Sequence, residues 1–383
     1  MQIKRYYLYN FLVSAADIGT GHLTMVYFYF HGFSIVAILG AILTYGITCL
    51  LILKPVGILI EKIGPQATFR LHAIAEILKY LALLCIFIFP EYQLAFFLLL
   101  QFFNGFNVML GRIPLTAYFS VYGSNDIRGA QIGLTNNIQV ITGVLVPIVA
   151  GALIQETGII LVTTITMLIN VVSTFVLKFD NKVRMQNPIQ LRRLMSSVPS
   201  VFTKAFFFGK LPYPFAADLL SIYIAISLQS FVVLGILIGL RTAATIVLNY
   251  IAGRLTDSRS IRRIFFWCVL VGSTFWLILP FVHSAQVIFA LQFTLGLIGL
   301  ITTIPFESAY HNAAKQSEQS LEFALWREIV IQIGLVIGTG LAILVLQSGL
   351  VSDWTKLLPF GALSLLALLF ALPFIGSRQS VAR

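Results

Sequence analysis

Gly57-Ile-Leu-Ile-Glu61-Lys62-Ile-Gly64 and Gly253-Arg-Leu-Thr-Asp257-Ser-Arg259-Ser share one frame: a glycine, an acid four residues on, and bases close by. The two glycines stand 196 positions apart, 253 less 57, and the two acids keep the same spacing. Working outward, Leu100-Gln101-Phe102 with Gly105 returns as Leu291-Gln292-Phe293 with Gly296 at an offset of 191, which Pro114/Pro305 and Gly143/Gly334 also keep. Ala15-Ala16-Asp17 returns as Ala216-Ala217-Asp218 at 201. Three matched pieces in the same order, with the offset drifting by five residues at each step, mark a duplicated unit.

The apolar runs between these pieces say what kind of unit it is. Of 383 residues, 58% are apolar and 10% carry formal charge, and mean hydropathy is +0.94. A soluble domain carries ~25% charged residues, so the surface of this one would lack a polar coat; the chain reads as an integral membrane protein with the lipid bilayer as its partner and solvent. A transmembrane helix needs about 20 mostly apolar residues. Cutting at charges, Pro/Gly clusters and amides predicts six spans in the first half, at 6–30, 34–60, 68–89, 93–119, 130–154 and 158–178. It predicts six more at 205–228, 231–253, 262–282, 285–309, 321–347 and 356–376. The expected fold class is all-α, with twelve transmembrane helices: one bundle over 1–178, a cytoplasmic linker over 179–204 and a second bundle over 205–383. Six is an even number, so both repeats enter from the same side and are parallel.

Charge fixes the orientation. With the N-terminus inside, eighteen Lys and Arg fall on the cytoplasmic side and only Lys356 on the other. This positive-inside asymmetry predicts both termini in the cytoplasm, and a bacterial inner membrane is the expected location. It also accounts for the formal charge of +11 without a nucleic-acid partner. Cys49, Cys85 and Cys268 sit singly inside apolar runs, so neither a disulfide framework nor a metal site is expected. The N-terminus has no small-residue cleavage pattern and reads as a retained first helix. No Gly-x-x-x-x-Gly-Lys-Ser/Thr occurs, so no nucleotide or other cofactor is expected and the energy source is a proton or other ion gradient.

Over nearly its whole length the sequence resembles the major facilitator superfamily of secondary transporters (MFS). The signature loop of that family, Gly-x-x-x-Asp-(Arg/Lys)-x-Gly-(Arg/Lys)-(Arg/Lys), is matched by Gly57, Glu61, Lys62 and Gly64, with Glu for Asp, while Pro65 and Gln66 depart from the basic pair. The second copy keeps Gly253, Asp257 and Arg262 and has Ser260 for the second glycine. Gln101 stands where the family often has Arg, and the span 5 pattern Gly-Pro-x-x-Gly-Gly survives as Pro147-Ile-Val-Ala150-Gly151. The resemblance implies the MFS fold, alternating access, a central cavity lined by spans 1, 4, 7 and 10, a gating role for the loop motif and, from span 5, efflux ahead of uptake.

The polar residues agree with a cavity on their own account. Asn10, Ser14, Asp17, Gly21 and Thr24 fall on one face of span 1; Gln101, Asn104, Asn107 and Gly111 repeat the pattern in span 4, and Gln292, Gly296, Gly299 and Thr303 do so in span 10. Such stripes must face protein or water, so they either line a cavity or hold helices together. His22 lies off the Asp17 stripe. Near mid-membrane stand Asp17, Glu76, Lys79, Asp218 and Arg241. Glu76 and Lys79 are three residues apart and are expected to form a structural ion pair, and Arg241 is expected to face Asp218. Glu61 and Asp257, at helix ends beside bases, are expected to latch the cytoplasmic side closed.

The expected function is secondary active transport of a small-molecule substrate by a monomer, coupled to protons, with efflux ahead of uptake. Metal-ion or nutrient uptake on the same fold is the nearer alternative. A membrane-embedded enzyme or a solute-sensing receptor is the more distant one, since the loops carry no nucleophile or acid pair and no signalling domain.

Overall fold

The computed structural model describes residues 2–122, 128–178, 199–215, 219–240, 242–243, 261–282, 284–316, 320–351 and 353–375, and among them every regular element is helical. Eight helices among the described residues are long and apolar enough to cross a membrane: Ile35–Ile60, Gln66–Ile88, Pro90–Leu115, Val140–Thr157, Ile261–Phe281, Gln286–Thr303, Leu325–Gln347 and Trp354–Phe374. Ile159–Thr174 and Phe231–Leu240 are apolar but shorter. The protein is an integral multi-pass membrane protein. Its hydroxyls are spent inside the helices, as lipid requires: Thr44, Thr48, Thr142, Thr163, Thr166, Ser273 and Thr339 each donate to the carbonyl four residues earlier. The chain packs as two compact units, Met1–Ile189 with Phe231–Gly235, and Gln190–Ser230 with Ile236–Arg383.

The first unit comprises α1 (Gln2–Phe30), α2 (Ile35–Ile63), α3 (Pro65–Ile88), α4 (Gln93–Tyr122), α5 (Arg128–Thr157) and α6 (Ile159–Thr174). Sequence dictates the corners. Ser34 caps α2, its Oγ accepting from the N–H of Ala37 at 3.1 Å. A single residue, Gly64 at φ +84°, joins α2 to α3, and Pro65 opens the next helix where its missing N–H costs nothing. The expected loop after span 2 is therefore the last turn of α2: Gly57, Glu61 and Lys62 are still helical, and only Gly64 leaves the helix.

Within this unit α3 runs along α4, α2 packs on α4, α1 packs on α5 and α6, and α3 also meets α6. Small residues make the close approaches. A Cβ on Gly105 would lie 2.9 Å from the Tyr45 carbonyl oxygen, so α2 and α4 approach there backbone to backbone. Residues 231–235 join the unit through α5: Gly151 faces the Phe231 carbonyl and Gly235 faces that of Pro147, each glycine lying against a carbonyl four residues before the other. On α3 one edge, with Ile74, Ile77, Leu81 and Ile88, is exposed.

The second unit holds α7 (Ser200–Lys210), α8 (Leu220–Leu228), residues 236–240 of α9 (Phe231–Leu240), α10 (Ile261–Ile278), α11 (Ala285–Gln316), α12 (Ser320–Gln347) and a last segment, Trp354–Phe374, in which 3₁₀ stretches flank the short α13 (Ala362–Leu366). Span 7, expected as one helix over 205–228, is broken: Pro212 and Pro214 lack the N–H that a continuous helix needs. The pairing plan of the first unit recurs. α10 lies on α11 as α3 lies on α4, α7 lies on α12 as α1 lies on α5, and the last segment covers α7 and α10 as α6 covers α1 and α3. Phe202, Phe206, Phe306 and Tyr310 form an aromatic core, over which the Arg327 guanidinium sits 5.1 Å from the Phe206 ring. Gly334 and Gly338 of α12 seat the carbonyls of Phe207 and Leu211.

Candidate functional site

Among the described residues, a concentration of buried polarity lies in the first unit, where α3, α4 and α6 meet. Glu76, at the middle of α3, is 0% exposed. Its Oε1 accepts from Lys79 Nζ at 2.8 Å and from Asn170 Nδ2 of α6 at 2.7 Å, and its Oε2 accepts from Asn107 Nδ2 of α4. Three donors from three helices, one of them an ammonium, meet the two carboxylate oxygens in a buried setting. Lys79 keeps 14% of its side chain exposed and enters from the edge of the cluster.

One turn before Glu76, His72 Nδ1 lies 3.0 Å from the backbone carbonyl of Asn107. A carbonyl only accepts, so Nδ1 carries the hydrogen. The imidazole can reach that carbonyl because residue 111 is glycine: a Cβ there would stand 3.0 Å from His72 Nδ1. Positions 72 and 76 thus hold the same residue of α4 by its backbone and its side chain. Asn107 and Asn170, 4% and 2% exposed, each turn the amide N–H to the carboxylate, and among the described residues neither Oδ1 has a hydrogen-bond partner.

The predicted site residues distribute unevenly around this centre. The Glu76–Lys79 pair forms as expected, with the bonding extended to Asn107 and Asn170. Asn107, expected on a stripe with Gln101 and Asn104, turns inside the unit, whereas Gln101 is buried and accepts from Asn104 Nδ2 at 3.3 Å. Asn10 donates to the Tyr6 carbonyl of its own helix at 2.8 Å, and Ser14 is buried on the same helix. Gln292 is 1% exposed, and among the described residues neither atom of its amide has a partner. Lys62 is exposed at the end of α2 and Arg262 at the start of α10. Asp17, His22 and Glu61 belong to α1 and α2, but their side chains lie outside the described set; Asp218, Arg241, Gly253 and Asp257 lie outside the described residues altogether. Asn170 was missed by sequence reasoning, although a lone asparagine in the apolar run of span 6 was the available signal. Among the described residues no three His, Cys, Asp or Glu side chains gather as a metal site would require.

Comparison with known proteins bears on the fold. No protein-family model and no curated protein sequence matches the chain. Among solved structures, it is similar to a bacterial homologue of the iron transporter ferroportin in an outward-facing state, with 14% identity, a TM-score of 0.64 and 98% of each chain covered. It is also similar to a structure described as giving insights into substrate recognition in proton-dependent oligopeptide transporters, with 14% identity, a TM-score of 0.63, and 97% of this chain and 98% of that one covered. Both are described as transporters, and at 14% identity the likeness over almost the whole chain shows a shared fold.

Proposed function

We propose that this protein is a secondary active transporter that moves a small solute across the membrane by alternating access. The observation that carries the reading is the end-to-end match to two transporters at 98% and 97% of the chain. The recurrence of one helix-pairing plan in both units supports it, since two equivalent bundles are the parts that such a cycle needs. On this reading twelve spans form two parallel six-helix repeats, with both termini and the 179–204 linker in the cytoplasm.

The solute cavity draws on Asn10, Ser14, Asp17, His22, Gln101, Asn104, Asn107, Asp218, Arg241 and Gln292, and the cycle is coupled to protons. The repeated Ala-Ala-Asp supplies two carboxyls at matching depth. An ionised Asp at the bilayer centre costs ~2.5–3.5 kcal/mol on the insertion scale, which Arg241 offsets for Asp218, leaving Asp17 as the carboxyl that exchanges a proton. Glu61 and Asp257 latch the cytoplasmic side, and the remnant Pro147 to Gly151 pattern places efflux ahead of uptake. The protein acts without nucleotide, as a monomer and not as an enzyme.

The test is counterflow in proteoliposomes against a panel of labelled solutes under an imposed pH gradient. At least one solute should accumulate in response to the gradient. Asp17→Asn should remove that response and spare solute exchange. Accumulation that persists in Asp17→Asn removes Asp17 from the coupling role, and a panel with no exchange of any solute overturns the transporter reading.

A further inference from the structure

The duplicated architecture supplies a control for the buried charges of the first unit. At the offsets that relate the repeats, 196 for the α3/α10 stretch and 191 for α4/α11, Glu76 corresponds to Gly272 and Asn107 to Ile298. The same junction is indeed built there. A Cβ on Gly272 would stand 2.9 Å from Ile298 Cγ2 and 2.7 Å from Leu365 Cδ1, and Leu365 belongs to the segment that takes the place of α6. Glycine and isoleucine therefore stand in one unit where glutamate and asparagine stand in the other, with Leu365 packed beside them. The fold needs no charge at this point, so the ionic version calls for its own explanation.

We propose that Glu76, Asn107 and Asn170 form a monovalent-cation site whose present occupant is the ammonium of Lys79. The oxygens suit that task. A buried carboxylate carries the charge, and two asparagine amides beside it hold Oδ1 atoms that, among the described residues, take part in no hydrogen bond. A half-turn of each amide exchanges N–H for C=O. With the ammonium in place both amides present N–H to the carboxylate; with a bare ion in its stead both present oxygen, giving a hard cation the all-oxygen shell that it prefers. Lys79 comes in from a partly exposed edge while Glu76 is sealed. The site is thus occupied by a tethered cation, and the wild-type protein has no use for a dissolved one. This inference shares Asn107 with the cavity of the transport reading but does not rest on that reading, since a bundle with any function could carry it.

The experiment is ion binding and thermal unfolding of the purified full-length protein in detergent, in NaCl or KCl against choline chloride at equal ionic strength. Lys79→Ala should gain a saturable rise in Tm of at least about 2 °C in NaCl or KCl and should retain radiolabelled sodium or a potassium tracer in equilibrium dialysis. The wild type and Lys79→Ala/Glu76→Gln should show neither. Lys79→Met, which keeps the apolar stem, carries the dialysis arm if the alanine variant is too unstable to purify in choline. Equal Tm values in all three salts with no retained ion in either Lys79 variant overturn the proposal. So does a wild type that binds the ion as well as the variants do, because the site would then not be occupied by Lys79.

Discussion

Removing one charge at a time from the Glu76–Lys79 pair should give unequal losses of stability, and the inequality follows from burial. Lys79→Met leaves a carboxylate that is 0% exposed and cannot reach water, still holding the amide donors of Asn107 and Asn170. An uncompensated buried charge costs about 3–5 kcal/mol. Glu76→Gln instead leaves an ammonium whose side chain is 14% exposed, on a flexible stem that can extend along the helix toward the membrane interface. The new amide can face both asparagines once one of them turns, so the loss should be about 1–2 kcal/mol. The double variant Glu76→Gln/Lys79→Met has no charge to strand and should lose no more than about 1 kcal/mol relative to wild type, giving a coupling of about 3–7 kcal/mol. The assay is unfolding in mixed micelles with choline as the only small cation, so that no dissolved ion enters the cycle. Additive losses, or a larger loss for Glu76→Gln than for Lys79→Met, would refute the argument.

Within α12, Gly338→Ala should cost about 1–3 kcal/mol in the same assay because its Cβ collides with the Leu211 carbonyl. Gly340→Ala, two residues away and with nothing within 4 Å, should be neutral or stabilise by up to about 1 kcal/mol; similar losses for both would mean that helix propensity, not the contact, decides. Asp353 accepts from the N–H and hydroxyl of Thr355 at 3.0 and 2.7 Å, and these bonds hold its carboxyl below the usual aspartate value. Its capping contribution should therefore be complete above about pH 4 and fade as the pH falls through the lowered folded value, and Asp353→Ala should abolish that part of the pH dependence of Tm. Single cysteines at 187 and 353 in a cysteine-free background should label from opposite sides of intact cells; labelling from one side would defeat the proposed topology.

The fold was legible because two independent signals, apolar run length and the duplicated pieces, pointed to the same halves. What escaped was how individual spans end and break. Lys62 reads as a loop residue because it is charged, yet the backbone stays helical until Gly64, the first position whose φ forbids it. Span 7 reads as one apolar run although Pro212 and Pro214 interrupt its hydrogen bonding. The Glu76–Lys79 pair was legible because a local i, i+3 spacing fixes it. The partners Asn107 and Asn170 come from other helices, and periodicity along one helix says which residues share a face but not which neighbour that face meets. Asn107 therefore looked like a continuation of the Gln101 and Asn104 stripe, although its side chain bonds to α3.

The different filling of the two junctions makes solvent polarity a selective reagent. A carboxylate bonded to an ammonium and two amides depends on the dryness around it, and its attraction collapses as the local dielectric rises. The contacts of Gly272 with Ile298 and Leu365 are dispersion and shape, indifferent to dielectric at this level. Detergents with short chains let water into the micelle, so along a series of decreasing chain length the first unit should loosen while the second still holds. The protein would then lose its internal equivalence before it loses its helices, and a proteolysis or hydrogen-exchange map taken along that series would show the two halves of a duplicated chain separating by chemistry alone.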